Sequence, residues 1–302
     1  TAGGIGAVIH NASELPGYLS MTLSYDVNTG KAAPYSALTI VSTAAWGLGY
    51  FGMPHILLRF MAIEDEKKLK LSRRVATIWV VISLFVAVFI GVIGYTMSKV
   101  GALEMLTGSN SETIIVKISA LLSQHGVIFA LLAGVILAGI LASTMSTSDS
   151  QLLAASSAVS SDILGAFRKD SSNKNGSMAA ARITLLVISV VAAFIARNPD
   201  SSVFAIVSFA WAGFGAAFGP VVLFSLFWKR TSKWGALAGM VCGGSMVFIW
   251  KYLIRPLGGI WNIYELLPAF LIACAAIVIV SLLTPKPSKE IEEEFDRVAQ
   301  MK

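Results

Sequence analysis

Residues 143–150 read STMSTSDS, and Ser143, Ser146, Thr147 and Ser150 keep the i, i+3, i+4, i+7 spacing that lines four hydroxyls along one stripe of a helix. Asp149 stands beside them. Hydroxyl and carbonyl oxygens are hard donors, matched to a hard alkali cation and poorly matched to a soft transition metal. A carboxylate within an apolar span is a functional candidate by default. Two readings fit the stripe: a path or site for an ion or polar solute, or a structural patch in which each hydroxyl bonds the carbonyl one turn back.

A second constellation, AAWGLGYFGMP at 44–54, puts three glycines and a proline within eight residues of an apolar run. Each glycine lowers helix stability by about 1 kcal/mol, and Pro54 removes an amide and clashes with the preceding turn. Irregular backbone at membrane depth is tolerated only where protein buries it or a cavity accepts it. A break here marks a binding cavity or a hinge, where freed amides, carbonyls and half-helix ends can hold a zwitterion. Trp46, Tyr50 and Pro54 are four apart and line one face if helix geometry persists. The alternative is close helix packing through the glycines. A third stretch, SFAWAGFGAAFGPVVLF at 208–224, carries Gly213, Gly215, Gly219 and Pro220 inside a span. It reads either as a moving gate or as a packing seam of Gly213, Ala216 and Ala217 with a static kink at Pro220.

The chain offers no phosphate-binding loop, nucleophile elbow, HExxH or dinucleotide fingerprint. His10, His55 and His125 have no neighbour at metal spacing, and Cys242 and Cys274 sit in apolar spans as packing residues. No enzyme and no cofactor is expected.

The elements that position these residues follow from composition. Of 302 residues, 56% are hydrophobic and 13% charged, with mean hydropathy +0.74, whereas a soluble domain is about a quarter charged. An all-α membrane protein is expected. A hydrocarbon core about 30 Å thick needs roughly 20 apolar residues, and seven spans qualify: 36–59, 76–98, 127–155, 179–197, 203–228, 234–254 and 265–284. Residues 1–302 read as a single transmembrane domain from the C-terminal part of a longer chain, with 1–9 as the end of a truncated helix and 285–302 as a cytoplasmic tail. The net charge of +6 does not imply nucleic acid, because the Lys and Arg residues alternate from loop to loop. With the C-terminus cytoplasmic, 17 fall inside and six outside, as the positive-inside rule requires of a multi-pass protein in membrane lipid.

The stretches WGLGYFGMPHILLRFMA (46–62), ILASTMSTSDSQLLAASSAVSSDI (140–163) and SFAWAGFGAAFGPVVLFSLFW (208–228) closely resemble the sodium/solute symporter family, and its proline branch more than its sugar, sialic acid or pantothenate branches. The resemblance implies a LeuT-like inverted-repeat fold of thirteen helices, with the first repeat largely missing here. It implies symport of L-proline with Na+ as coupling ion, by alternating access, across the cell inner (cytoplasmic) membrane. Trp46, Tyr50 and Pro54 match the family's substrate-contacting positions, Ser146 and Thr147 its hydroxyl sodium ligands, and Ser143 a carbonyl ligand. Asp149 and Ser150 fall where some relatives build a second ion site. The helix carrying Trp211, Gly215, Gly219 and Pro220 resembles the family's outer gate. The alternatives are a sodium symporter for another small solute (pantothenate, another amino acid or a sugar), and a channel or sensor on the same fold.

Overall fold

The computed structural model describes residues 3–26, 29–163, 174–197 and 202–300; Arg168, one of the expected cytoplasmic charges, lies outside them. In chain order come α1 (Ile5–Ser13), a two-stranded hairpin of β1 (Leu23–Asp26) and β2 (Lys31–Pro34), α2 (Ala37–Ala45), α3 (Pro54–Met61) and α4 (Leu69–Lys99). Then follow α5 (Ile114–Ser123), α6 (Val127–Ser157), α7 (Lys174–Ile195), α8 (Val203–Phe227), α9 (Lys233–Ile249), α10 (Leu266–Leu283) and α11 (Lys289–Gln300). Six helices among the described residues are long and apolar enough to cross a membrane: α4, α6 with its extension to Ile163, α7, α8, α9 with its extension to Leu257, and α10. The chain is a mostly helical, multi-pass membrane protein.

Six of the seven expected spans are therefore continuous helices. The seventh, 36–59, is interrupted where its glycines and proline lead one to expect: α2 ends at Ala45, a 3₁₀ turn covers Trp46–Gly52, and α3 restarts at Pro54. Ser36 caps the start of α2, its hydroxyl accepting the Thr39 amide at 3.2 Å. Pro54 opens α3 where a missing N–H costs nothing.

The chain divides into two compact units, Thr1–Leu19, Tyr25–Lys31 and Ile63–Val203 in the first and Ser20–Ser24, Ala32–Ala62 and Phe204–Lys302 in the second. In the first, Gly94 of α4 lets Ile114 of α5 approach, since a Cβ there would lie 2.4 Å from its Cγ1. The Ser156 hydroxyl of α6 donates to the Ala181 carbonyl of α7 at 3.0 Å. Lys99, at the end of α4, pairs with Glu14 and donates to Asn11 at α1. None of the most apolar stretch of α4 or of α7 is buried, against 33% of that of α10. The apolar side chains of α4 and α7 are where lipid would be their solvent.

The second unit owns a protein core of Ala45, Ala212, Ala216, Val247, Tyr264, Leu266, Ala269 and Phe270. Its basis is an antiparallel seam: Gly235, Gly239 and Gly243 of α9, four apart, face Ser281, Ile277 and Ala273 of α10. Small residues let the backbones meet, and the seam's polar end is satisfied by Ser232, whose amide donates to Ser281 Oγ and whose hydroxyl accepts the Gly235 amide. A Cβ on Gly243 would stand 2.2 Å from the Ala216 carbonyl, which cannot rotate away. Gly243→Ala is expected to destabilise the purified protein by about 1–3 kcal/mol, read as a lower thermal midpoint in detergent. Gly244→Ala, whose Cβ would meet Ala217 at an ordinary 3.8 Å, is expected to leave the midpoint unchanged.

Candidate functional site

The interrupted span is a packed 3₁₀ turn. Such a turn winds three residues per revolution, so Trp46, Gly49 and Gly52 share a face, and the expected stripe of Trp46, Tyr50 and Pro54 at four-residue spacing does not form. The shared face lies on α8. A Cβ on Gly49 would fall 1.9 Å from Trp211 Nε1, and one on Gly52 2.3 Å from the Phe214 carbonyl. Reciprocally, a Cβ on Gly215 would be 2.7 Å from the Gly49 Cα. The close-packing reading thus holds at Gly49, Gly52 and Gly215, while Gly47 and Gly213 face open space. Gly219 completes the seam against Phe270, and α8 stays helical through Pro220.

What the stripe does not align, Trp211 brings together. Its indole N–H donates to the Trp46 carbonyl at 2.9 Å. Its ring stacks on Trp46 at 5.7 Å and meets Tyr50 edge-on at 4.8 Å. Trp46 also stacks on Phe204 at 5.4 Å and Tyr264 at 5.8 Å. Tyr50 is 51% exposed, and Pro54 is half-buried one turn beyond. These rings, with a phenolic hydroxyl at their margin, suit a compact apolar ring that also carries polar groups.

Tyr264 is absent from the expectations above, because nothing in its spacing connects it to Trp46. Its hydroxyl donates to the Ser208 carbonyl at 2.6 Å, and its amide donates to Ser42 Oγ at 3.1 Å. Burial, then the adjacent Glu265 carboxylate, pushes the phenol well above its ordinary range, so it stays a protonated donor.

The hydroxyl stripe belongs to the first unit, on α6, which continues unbroken from Val127 through Ser157. Thr147 Oγ1 donates to the Ser143 carbonyl at 3.2 Å and Ser150 Oγ to the Ser146 carbonyl at 3.0 Å. The Ser143 and Ser146 hydroxyls have no protein partner among the described residues. Thr144 and Ser148, also missed, bond back in the same way to Ile140 and Thr144; they stand in the same polar run, one position beyond Ser143 and Thr147. A hydroxyl that returns its proton to its own helix still turns lone pairs outward. Back-bonding and cation ligation are therefore compatible, and Thr147 Oγ1 beside the Ser143 carbonyl makes a pair of hard oxygens. Ser143, Ser146, Thr147 and Asp149 are exposed, and Ser150 is half-buried.

An open groove of about 610 Å³ between α9 and α10 is lined by Trp234, Leu237, Val241, Val280, Leu283 and Pro285 among others. Its nearly wholly apolar lining marks lipid-facing surface, not a polar-solute site.

Residues 7–243 match the model of the family described as the sodium:solute symporter family. The chain is 41% identical to the sodium/proline symporter of Haemophilus influenzae over 86% of this chain and 51% of that protein. It is 40% identical to the sodium/proline symporter of Salmonella typhimurium over 85% of this chain and 50% of that protein. It is 39% identical to the osmoregulated proline transporter OpuE of Bacillus subtilis over 84% of this chain and 50% of that protein. The chain spans about half the length of the curated relatives it matches. No solved structure matches it.

The contact of Gly49 with Trp211 carries a test. Gly49→Ala is expected to displace the indole, lowering stability by about 1–3 kcal/mol and red-shifting tryptophan emission. Gly47→Ala, with nothing within 4 Å of its new methyl, is expected to change neither.

Proposed function

The chain belongs to the sodium:solute symporter family, and from that premise we propose that it serves sodium-coupled symport of L-proline by alternating access, on a LeuT-like inverted-repeat fold. Support for proline comes from the relatives that bear the name sodium/proline symporter. The observation that carries the reading is the interrupted span itself, where Trp46 and Tyr50 meet on the Trp211 ring between the end of α2 and the start of α3. Trp46, Tyr50 and Pro54 contact proline, whose pyrrolidine ring suits an aromatic wall and whose charged ends suit half-helix termini. Trp211, Gly215, Gly219 and Pro220 form a gate on α8.

Sodium binds at α6 through the Ser143 carbonyl and the Ser146 and Thr147 hydroxyls, and Asp149 and Ser150 extend the polar path. Bound sodium favours the substrate-ready state through its differential affinity for the two conformations. One sodium crossing 100 mV contributes about 2.3 kcal/mol, and a tenfold gradient adds about 1.4. Together, about 3.7 kcal/mol supports accumulation on the order of 500-fold.

The transmembrane domain lies in the cytoplasmic membrane with residues 285–302 as a tail inside the cell. Beyond the charge count, two ion pairs support this topology, because each joins segments assigned to one side. Lys99 pairs with Glu14 on the outer side, and Lys229 pairs with Asp296 of α11 on the inner side. The Asp296 hydrogen bond holds the Lys229 ammonium above its ordinary range.

The test is proline uptake by the full-length protein in proteoliposomes with and without an inward sodium gradient. Uptake that ignores sodium would sink the coupling, and a preference for pantothenate or a sugar would sink the substrate. Trp46→Ala is expected to raise the KM for proline by about tenfold or more, equivalent to ~1.4 kcal/mol of lost binding. Thr147→Ala is expected to raise the sodium concentration for half-maximal uptake by a similar factor of about ten. Thr147→Ser, which keeps the oxygen, is expected to stay close to the parent protein.

A further inference from the structure

Among the apolar residues that open α10, Glu265 is a carboxylate only 1% exposed. Buried charges persist where a partner compensates them, and its partner is Arg255, whose Nη1 donates to Glu265 Oε2 at 2.8 Å. Glu265 stands at the N-cap position of α10, yet its side chain caps nothing. The carboxylate is committed to the arginine instead. Arg255 spends a second donor, Nε, on Asn262 Oδ1 at 3.0 Å.

These bonds close a loop on itself. Gly258 and Gly259, at φ 73° and 58°, take the left-handed turns that let the chain double back, so that Arg255 and Glu265 meet. Between them, and adjacent to Glu265, lies Tyr264, stacked on Trp46 and bonded to Ser208 and Ser42. On the other side of Glu265, Leu266 is fully buried and lies 2.9 Å from where a Cβ on Gly215 would stand. The ion pair, its carboxylate buried and its guanidinium partly exposed, thus sits beside Tyr264 and Leu266, through which the loop meets α8 and the interrupted span.

We propose that Glu265 is a positioning residue for the substrate site: by holding Arg255 it locks the 255–264 loop, keeps Tyr264 on the Trp46 ring, and so fixes the wall against which substrate binds. The assignment rests on the proline-symport reading, and it extends the site to a loop that carries none of the residues assigned there. Glu265 touches no substrate; it acts through Tyr264.

The experiment uses the full-length protein in proteoliposomes, with two independent readouts. The first is transport. Glu265→Gln and Arg255→Gln are each expected to raise the KM for proline about tenfold while Vmax stays within about twofold, and the double variant is expected to match the singles, because the pair acts as a unit. Arg255→Lys, which restores a cation, is expected to return KM to within about threefold of the parent. The second readout needs no substrate: with Ser42→Cys in a cysteine-free background, Glu265→Gln is expected to speed maleimide labelling about fivefold or more, as the Tyr264 amide leaves position 42. Should Glu265→Gln fail to fold, Tyr264→Phe keeps the ion pair and the ring and removes only the bond to Ser208; its expected effect is a KM raised about threefold at constant Vmax. Unchanged labelling in Glu265→Gln would overturn the lock, whatever transport does. Faster labelling with an unaltered proline KM, or with a loss confined to Vmax, would overturn the positioning role. A parent protein without sodium-dependent proline uptake would sink the functional reading and this role with it, and the labelling arm identifies that case by still reporting the lock.

Discussion

An indole N–H on α8 and a carbonyl at the head of a 3₁₀ turn stand 2.9 Å apart, and the second unit is organised around making that contact possible. The constraint behind it is the solvent. A backbone group at membrane depth finds no water, so a span that abandons α-helical bonding must be covered by protein. Here the cover is α8, and it can come close enough only because Gly49 and Gly52 lack a Cβ on one side and Gly215 lacks one on the other. The residues that break the helix are thus the same residues that let a neighbour cover the break.

That contact requires a rigid α8, and the rest of the unit supplies it. Ala212 and Ala216 are fully buried, and the α9–α10 seam reaches α8 where Gly243 meets the Ala216 carbonyl. Dispersion between closely apposed backbones replaces the hydrophobic driving force that lipid does not provide. The first unit follows a different rule. Its long helices bury almost none of their apolar stretches, and they meet their neighbours at points such as Gly94 with Ile114 and Ser156 with Ala181. Within residues 143–150 of α6 the bonded hydroxyls return to their own helix and none is consumed in packing between described helices.

The two candidate sites accordingly rest on different physics. The interrupted span presents an aromatic surface, with Trp211 as the common neighbour of Trp46 and Tyr50. The α6 stripe presents lone pairs, and the back-bonded hydroxyl of Thr147 shows that satisfying the helix and offering an oxygen are not competing demands. The proposed symport draws on both: a substrate wall that changes with conformation and an ion whose affinity differs between the two states.

Much of this was legible from residues alone. Composition and run length determined the membrane class and six of the spans, since the bilayer imposes a fixed length on any helix that crosses it. Glycine and proline within 47–54 determined that the seventh would break, because backbone propensity is local, and the hydroxyl spacing determined the polar stripe because α6 keeps a regular period. Tertiary structure alone decided the kind of break. A 3₁₀ turn replaced the four-residue stripe with a three-residue face, and which glycines matter depended on what lies opposite: Trp211 for Gly49, nothing for Gly47. Tertiary structure alone also joined Tyr264 and the Arg255–Glu265 pair to Trp46. Contacts between residues so far apart in the chain leave no periodic trace, because they are set by how helices pack and not by how any one of them winds.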